Sequence, residues 1–507
     1  MTTDYHDNFK ATITITEELG GIIHLIGTYS TLPNGTNFVA VYNNLVINAV
    51  CPSKNTFIFN IPFTSTGNID FLVQLENGDL FLANVTYAFP ARINDLPHSF
   101  IIGDKTMITR IENSTSLHAQ PLEYEKLCNV VNLYVNTNFN EQYREDKDII
   151  QLYLTQFHHM SNKRIWLLSD RPNRADDNAE YLFKHSVRMA DGIEKYFVID
   201  DKSPDAARLA MAGDVVSHTS SQHKLLYLFA EKFISSHLHG RLRDICDRDK
   251  YLLYAGLDRC QTLFIQHGII LHDMAFWLKR TSQNLKLLVT TSGYEYNSIL
   301  ESEYDYDKSV VKLTGMPRYD SLYNNDKRKI LFAPTWRGAM SPEDLSATQY
   351  CKAINNLLNE KNFIAEAKQF GYELLFKPHP NYAHMASCFL VDDYVQIVPY
   401  DVSYQKLFAE CSLLITDFSS TAFDFSYLKK PVIYYWFTDN LFRASYFDYK
   451  TMGFGKIIDT QDKLVEIAIN YMKSGCIMED EYKLRVDNFF EFFDQNNTQR
   501  LYEEIAK

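Results

Sequence analysis

Two hydrophobic rhythms divide this chain. Up to about residue 120, short runs alternate or favour β-branched and aromatic residues: ATITIT from Ala11, NFVAVY from Asn37, NTFIFNIPF from Asn55 and DFLVQL from Asp70. Turn signals such as Pro33-Asn34-Gly35 and Glu76-Asn77-Gly78-Asp79 separate them. This spacing predicts a small antiparallel, sandwich-like β domain over residues 1–120. Residues 121–163 (LEYEKLCNVVNLYV, then EDKDIIQLYLTQFHHM) are mixed polar and apolar without strand signals, and predict a helical connector. Beyond Lys163 the pattern becomes buried-type runs separated by helix-length segments, the signature of parallel sheets wound with helices. One series is RIWLL, KYFVI, DVVS, EKFISS, TLFIQ and KLLVTT; a second is KILFA, ELLFK, VQIV, SLLIT and PVIYY. The expected fold is α/β, with Rossmann-like lobes over 164–325 and 326–507, the second closed by C-terminal helices. The break falls at the turn-rich Tyr323-Asn324-Asn325-Asp326.

Composition agrees with several domains, since 507 residues exceed the roughly 250 to 300 at which single cores stop growing. The net charge of −13 argues against a general nucleic-acid binder, so an anionic ligand would have to be met by local groups. Eight scattered cysteines show no metal-ligand spacing and suit buried thiols in a reducing compartment. There is no secretory leader pattern and no membrane-length apolar run, so a cytoplasmic enzyme is expected, soluble or peripheral at the inner face of the membrane.

Ligands of open parallel sheets sit beyond the carboxyl ends of the strands. Three such ends carry chemistry. TLFIQ leads into Gln266-His267-Gly268, where the glycine permits a tight turn and His267 is placed as an exposed imidazole able to act as a general base. ELLFK leads into Lys377-Pro378-His379-Pro380, where two prolines stiffen the backbone around His379. SLLIT leads into Asp417 and then Ser419-Ser420-Thr421 at a helix start, a phosphate cradle of hydroxyls and backbone N–H groups. A fourth, APTWRG, offers Arg337 to phosphate oxygens. Either histidine alone reads as a loop residue; their recurrence beside a phosphate cradle points to phosphoryl chemistry. Asp200-Asp201 resembles a metal-binding pair but is discounted, because the motif set does not require a divalent metal.

The ordered set HG (His267), TGMPRYD (Thr314), LFAPTWR (Leu331), KPHP (Lys377), TDFSSTAFDFSYLKKPVIYY (Thr416) and FRASYFDY (Phe442) resembles the CDP-glycerol glycerophosphotransferase family of teichoic-acid and capsule polymerases. The resemblance spans about residues 160 to 460. It implies a GT-B fold with the active site between facing lobes, the first lobe on the acceptor side and the second on the CDP-donor side. No tightly bound cofactor is implied; the donor would be CDP-glycerol or CDP-ribitol, and the acceptor a growing or lipid-linked polymer. By the same resemblance His267 is the base that deprotonates the acceptor hydroxyl, and His379 binds the pyrophosphate. Ser419, Ser420 and Thr421 hold phosphate oxygens, with Arg337 and Arg443 as further contacts; Asp417, Gly268 and Lys377 support the site. This chain departs from the family pattern where Ile269-Ile270-Leu271-His272 follows the HG pair and where Phe442-Arg443-Ala444 replaces an FRG-like segment. These changes bear on donor and acceptor rather than on reaction class. An ordinary GT-B glycosyltransferase or sugar-nucleotide epimerase is the alternative, and donor identity separates the two.

Overall fold

The computed structural model describes residues 9–32, 34–88, 92–112, 114–238, 245–438 and 445–507. They form two compact units. The first takes the chain up to Ile265 together with Ala275–Leu288 and Ser302–Val310; the second takes Gln266–Met274, Val289–Glu301 and Val311–Lys507.

The first unit opens with two β-sheets, one of four strands and one of seven. Pairing is antiparallel, except that Lys10–Leu19 runs parallel to Asn84–Tyr87. Alternating inward side chains such as Ile13, Leu25, Phe38, Phe59 and Phe71 fill a common core. The connector is helical, as Tyr124–Asn138 and Arg144–Met160. Its buried faces share one core with Phe100 and Met107 of the β domain and with Ile165 and Leu167 of the following sheet. Backbone contact adds to this: the Ile102 N–H donates to the Gly256 carbonyl at 2.9 Å. The β domain is therefore packed onto the first lobe.

The sheet of that lobe has seven strands in the order Asp214–Ser217, Glu194–Ile199, Ile165–Ser169, Lys232–Ser235, Gln261–Phe264, Leu287–Thr290, Val311–Leu313, and the first six carry the dinucleotide-fold plan. The second unit repeats the plan with Val395–Ile397, Glu373–Phe376, Lys329–Phe332, Cys411–Thr416, Val432–Tyr435, Gly455–Ile458. Both follow the 3-2-1-4-5-6 order of doubly wound dinucleotide-fold sheets. Central strands such as Ile165–Ser169 and Cys411–Thr416 are buried at every residue, as parallel strands covered on both faces must be. The intervening helices carry local stop and start signals. Thr348 caps Gln349–Leu358, Ser403 caps Tyr404–Glu410, and Gly371 ends Lys361–Phe370 in the left-handed conformation at φ 68°.

Candidate active site

In the second unit the strand order reverses between Lys329–Phe332 and Cys411–Thr416, so the loops after these two strands diverge and leave a crevice. Four strand ends meet there. Asp417 is fully buried: one carboxylate oxygen accepts from the Thr335 N–H at 2.8 Å and the other from Arg337 Nη2 at 2.6 Å. Arg337 also donates from Nε and Nη2 to Thr438 Oγ1 at 2.9 and 2.7 Å, and from Nη1 to the carbonyls of Thr335 and Trp336 at 2.7 and 3.3 Å. All five of its N–H groups are thus engaged within the protein. The direct phosphate contact expected of Arg337 is corrected accordingly: the guanidinium braces the strand ends, with the ring faces of Tyr350, Phe418 and Phe437 around it.

His379 lies on the next strand end, half-buried. Its Nδ1 accepts the Asn381 N–H at 3.2 Å, so in the neutral ring the proton sits on Nε2. Trp336 stacks on the imidazole with centroids 5.9 Å apart and planes 21° apart, fixing the ring plane. Lys377 is a supporting residue in a structural sense. Its buried ammonium donates to the Pro399 and Val402 carbonyls at 3.1 and 3.0 Å and holds that loop beneath the KPHP turn.

The serine turn follows directly on Asp417. Ser419 Oγ accepts from the Thr421 hydroxyl at 2.9 Å and from the Thr421 N–H at 3.3 Å. The helix that starts here, Thr421–Tyr427, has seven residues, and the Ala422 and Phe423 N–H groups close onto the carbonyls of Ser419 and Ser420. The cradle therefore rests on the serine and threonine hydroxyls more than on a long helix end.

His267 is exposed, and the segment carrying it belongs to this same unit. Ile269 and Leu271 are buried in one core with Phe418 and Ala422. His272 is half-buried, and desolvation lowers its basicity while it bonds the Phe418 backbone. Gly268 lies against the serine turn so closely that a Cβ there would stand 2.6 Å from Ser420 Oγ. A larger residue here would require Ser420 to turn its hydroxyl away or the loop to shift. The positive φ, +60°, falls instead on Gln266, one residue before His267, and corrects the expectation that the glycine supplies the turn. Arg443 lies outside the described residues.

Sequence reasoning missed Glu295. This fully buried carboxylate accepts from the N–H groups of Ile270 and Thr291, both at 2.8 Å, from Gln266 Nε2 at 3.1 Å and from Thr291 Oγ1 at 3.2 Å. Burial pushes its carboxyl up to about 7. In the sequence, Ser292-Gly293-Tyr294-Glu295 reads as a helix capping box, and Ser292 Oγ does accept the Glu295 N–H at 3.1 Å. Nothing in that signal reveals the reach to residues 266 and 270.

A loop carrying an exposed histidine and packed through Gly268 on Ser420, with a second, oriented histidine at another strand end of the sheet that carries the serine turn, suits phosphoryl transfer. The family model for CDP-glycerol:poly(glycerophosphate) glycerophosphotransferase matches residues 151–507. The chain belongs to this family. Among family relatives, the minor teichoic acid biosynthesis protein GgaB of Bacillus subtilis is 39% identical over 365 residues, 68% of this chain and 40% of that protein. The teichoic acid poly(glycerol phosphate) polymerase of Bacillus spizizenii is 27% identical over 239 residues, 41% of this chain and 54% of that protein. The chain thus spans about half the length of these relatives. The solved wall teichoic acid polymerase TagF superposes with a TM-score of 0.55 at 17% identity, covering 76% of this chain and 98% of that one. The fold is GT-B, two Rossmann-like lobes preceded by a β domain.

Proposed function

We propose that this chain transfers an alditol phosphate, glycerol phosphate in the first instance, from a CDP-activated donor to a hydroxyl of a teichoic-acid-type polymer, with release of CMP. Family membership supports the donor class, and the similarity to a teichoic acid poly(glycerol phosphate) polymerase supports the polymer. The observation that carries the reading is the seating of Gly268 on Ser420, which brings the His267 loop onto the serine turn.

In this mechanism His267 takes the proton of the acceptor hydroxyl as its oxygen attacks the β-phosphorus. The bond from that phosphorus to the oxygen it shares with the α-phosphate breaks, and CMP leaves with that oxygen. His379 donates from Nε2 to the negative charge developing on the pyrophosphate, while the hydroxyls of Ser419, Ser420 and Thr421 hold non-bridging oxygens. Arg337 and Asp417 keep these strand ends in register and do not touch the donor. Among the described residues no helix is long and apolar enough to cross a membrane. Glycerol and ribitol donors, and single against repeated addition, are distinguished by one assay. CMP release is followed with CDP-glycerol and CDP-ribitol in parallel on a short poly(glycerol phosphate) oligomer, and products are sized by mass spectrometry. Acceptor-dependent CMP release with added glycerol-phosphate units is expected. Failure with both CDP-alditols, together with turnover of a UDP-sugar, would replace this reading with the nucleotide-sugar alternative.

A further inference from the structure

The backbone that presents His267 is held in an unfavourable shape by two buried side chains that would not themselves meet substrate. Gln266 is fully buried with φ +60°, a left-handed conformation that glycine adopts freely and glutamine does not. A glycine would satisfy the turn at less cost, so the glutamine side chain must supply something a turn alone does not need. Its Nε2 donates to the Val289 carbonyl and, at 3.1 Å, to Glu295 Oε1. That same Oε1 accepts the Ile270 N–H at 2.8 Å. One carboxylate oxygen therefore closes the loop on both sides of His267-Gly268-Ile269. The other, Oε2, is anchored by the N–H and hydroxyl of Thr291 at the end of the neighbouring strand. With Gly268 stopped by Ser420, the loop is fixed below by Glu295 and at its side by the serine turn, and the exposed imidazole is the part left to face substrate.

We propose that Gln266 and Glu295 form a positioning pair that sets the backbone geometry from which His267 takes the acceptor proton. The inference rests on the function proposed above. A helix cap alone would explain Thr291 and Ser292 but not the two bonds to the loop.

The test uses the full chain in the CMP-release assay, with CDP-glycerol and a poly(glycerol phosphate) oligomer. Gln266→Gly keeps the left-handed backbone accessible while deleting the clamp. It is expected to lower the unfolding midpoint, to leave the donor KM near that of the unaltered protein and, at temperatures where the variant is folded, to lower kcat about 10- to 100-fold, the scale of a misplaced reacting group. Glu295→Gln, which puts an amide where four donors converge, should lower kcat in the same way. Ser292→Ala, which weakens only the cap, should leave kcat unchanged. Combined with His267→Ala, neither Gln266→Gly nor Glu295→Gln should cause further loss, because both act through the imidazole. Normal kcat in Gln266→Gly beside an inactive His267→Ala would overturn the pair alone, as would losses that multiply in the double variants. Normal transfer by His267→Ala would overturn both the assigned base and this inference.

Discussion

Gly268 and Gln266 show how narrowly the histidine segment is specified at the level of single residues. Gly268→Ala would drive a methyl group to 2.6 Å from Ser420 Oγ, an overpacking worth about 1 to 3 kcal/mol unless the loop lifts away. Lifting would carry His267 with it, so transfer should fall more than stability does. Adding Ser420→Ala removes the clashing oxygen and should restore the unfolding midpoint, though not full activity. At His379 the Asn381 N–H on Nδ1 decides which nitrogen donates. His379→Ala is expected to lower kcat/KM about 10²- to 10³-fold, as loss of one charge-stabilising donor does, whereas His379→Gln, with an amide N–H to offer, should retain part of it. Steady-state kinetics with CDP-glycerol checks both.

At the scale of elements, the second sheet holds its site by tying strand ends together rather than by the strands alone. Asp417, Arg337 and Thr438 join the ends of three strands, and Tyr382 adds a fourth by accepting the Arg337 N–H at 3.2 Å and donating to the Gly338 carbonyl at 2.7 Å. Arg337→Met would leave Asp417 buried without its counter-charge, a loss of about 3 to 5 kcal/mol of stability measurable by urea unfolding. The same variant should lose transfer even at temperatures where it is folded, because Thr335, Asp417 and the serine turn would no longer share one frame. In the first lobe Asp170 plays a comparable part. It ends the strand Ile165–Ser169 and accepts from Ser236 Oγ and from the N–H groups of Ala179, Asp177 and Glu180.

For the molecule as a whole, buried carboxylates set a pH dependence. Burial, with Asp177 nearby, raises Asp170 to about 8 from 3.8, and burial raises Glu295 to about 7 from 4.5. In each case the folded state holds a proton that the unfolded chain releases earlier. The stability they contribute is complete below the unfolded values and is lost as pH rises through about 4 to 8. Relative to Asp170→Asn, the unaltered protein should therefore lose stability as pH rises toward 8, where the buried carboxyl must ionise. Urea unfolding at several pH values across that window checks the slope; a constant gap would exclude Asp170 as its source.

The hydrophobic pattern by itself determined the α/β character, the β-rich start, the helical connector and most strands of both lobes, because a strand buried on both faces must be an unbroken apolar run. Val311–Leu313 and Gly455–Ile458 escaped it, being short and partly exposed. Strand ends also determined where His267, His379 and the serine turn would lie along the chain, since a loop residue after a buried strand has few other places to go. Only the tertiary structure decided what those residues do for one another. Arg337 became a brace because its partners come from residues 335, 336, 417 and 438, and Lys377 became a clamp because two distant carbonyls converge on it. Glu295 reads in sequence as a helix cap and is in the fold the anchor of the histidine loop. Hydrogen bonding between residues far apart in sequence leaves no periodicity to read; it exists only once the sheet has brought the donors to one point.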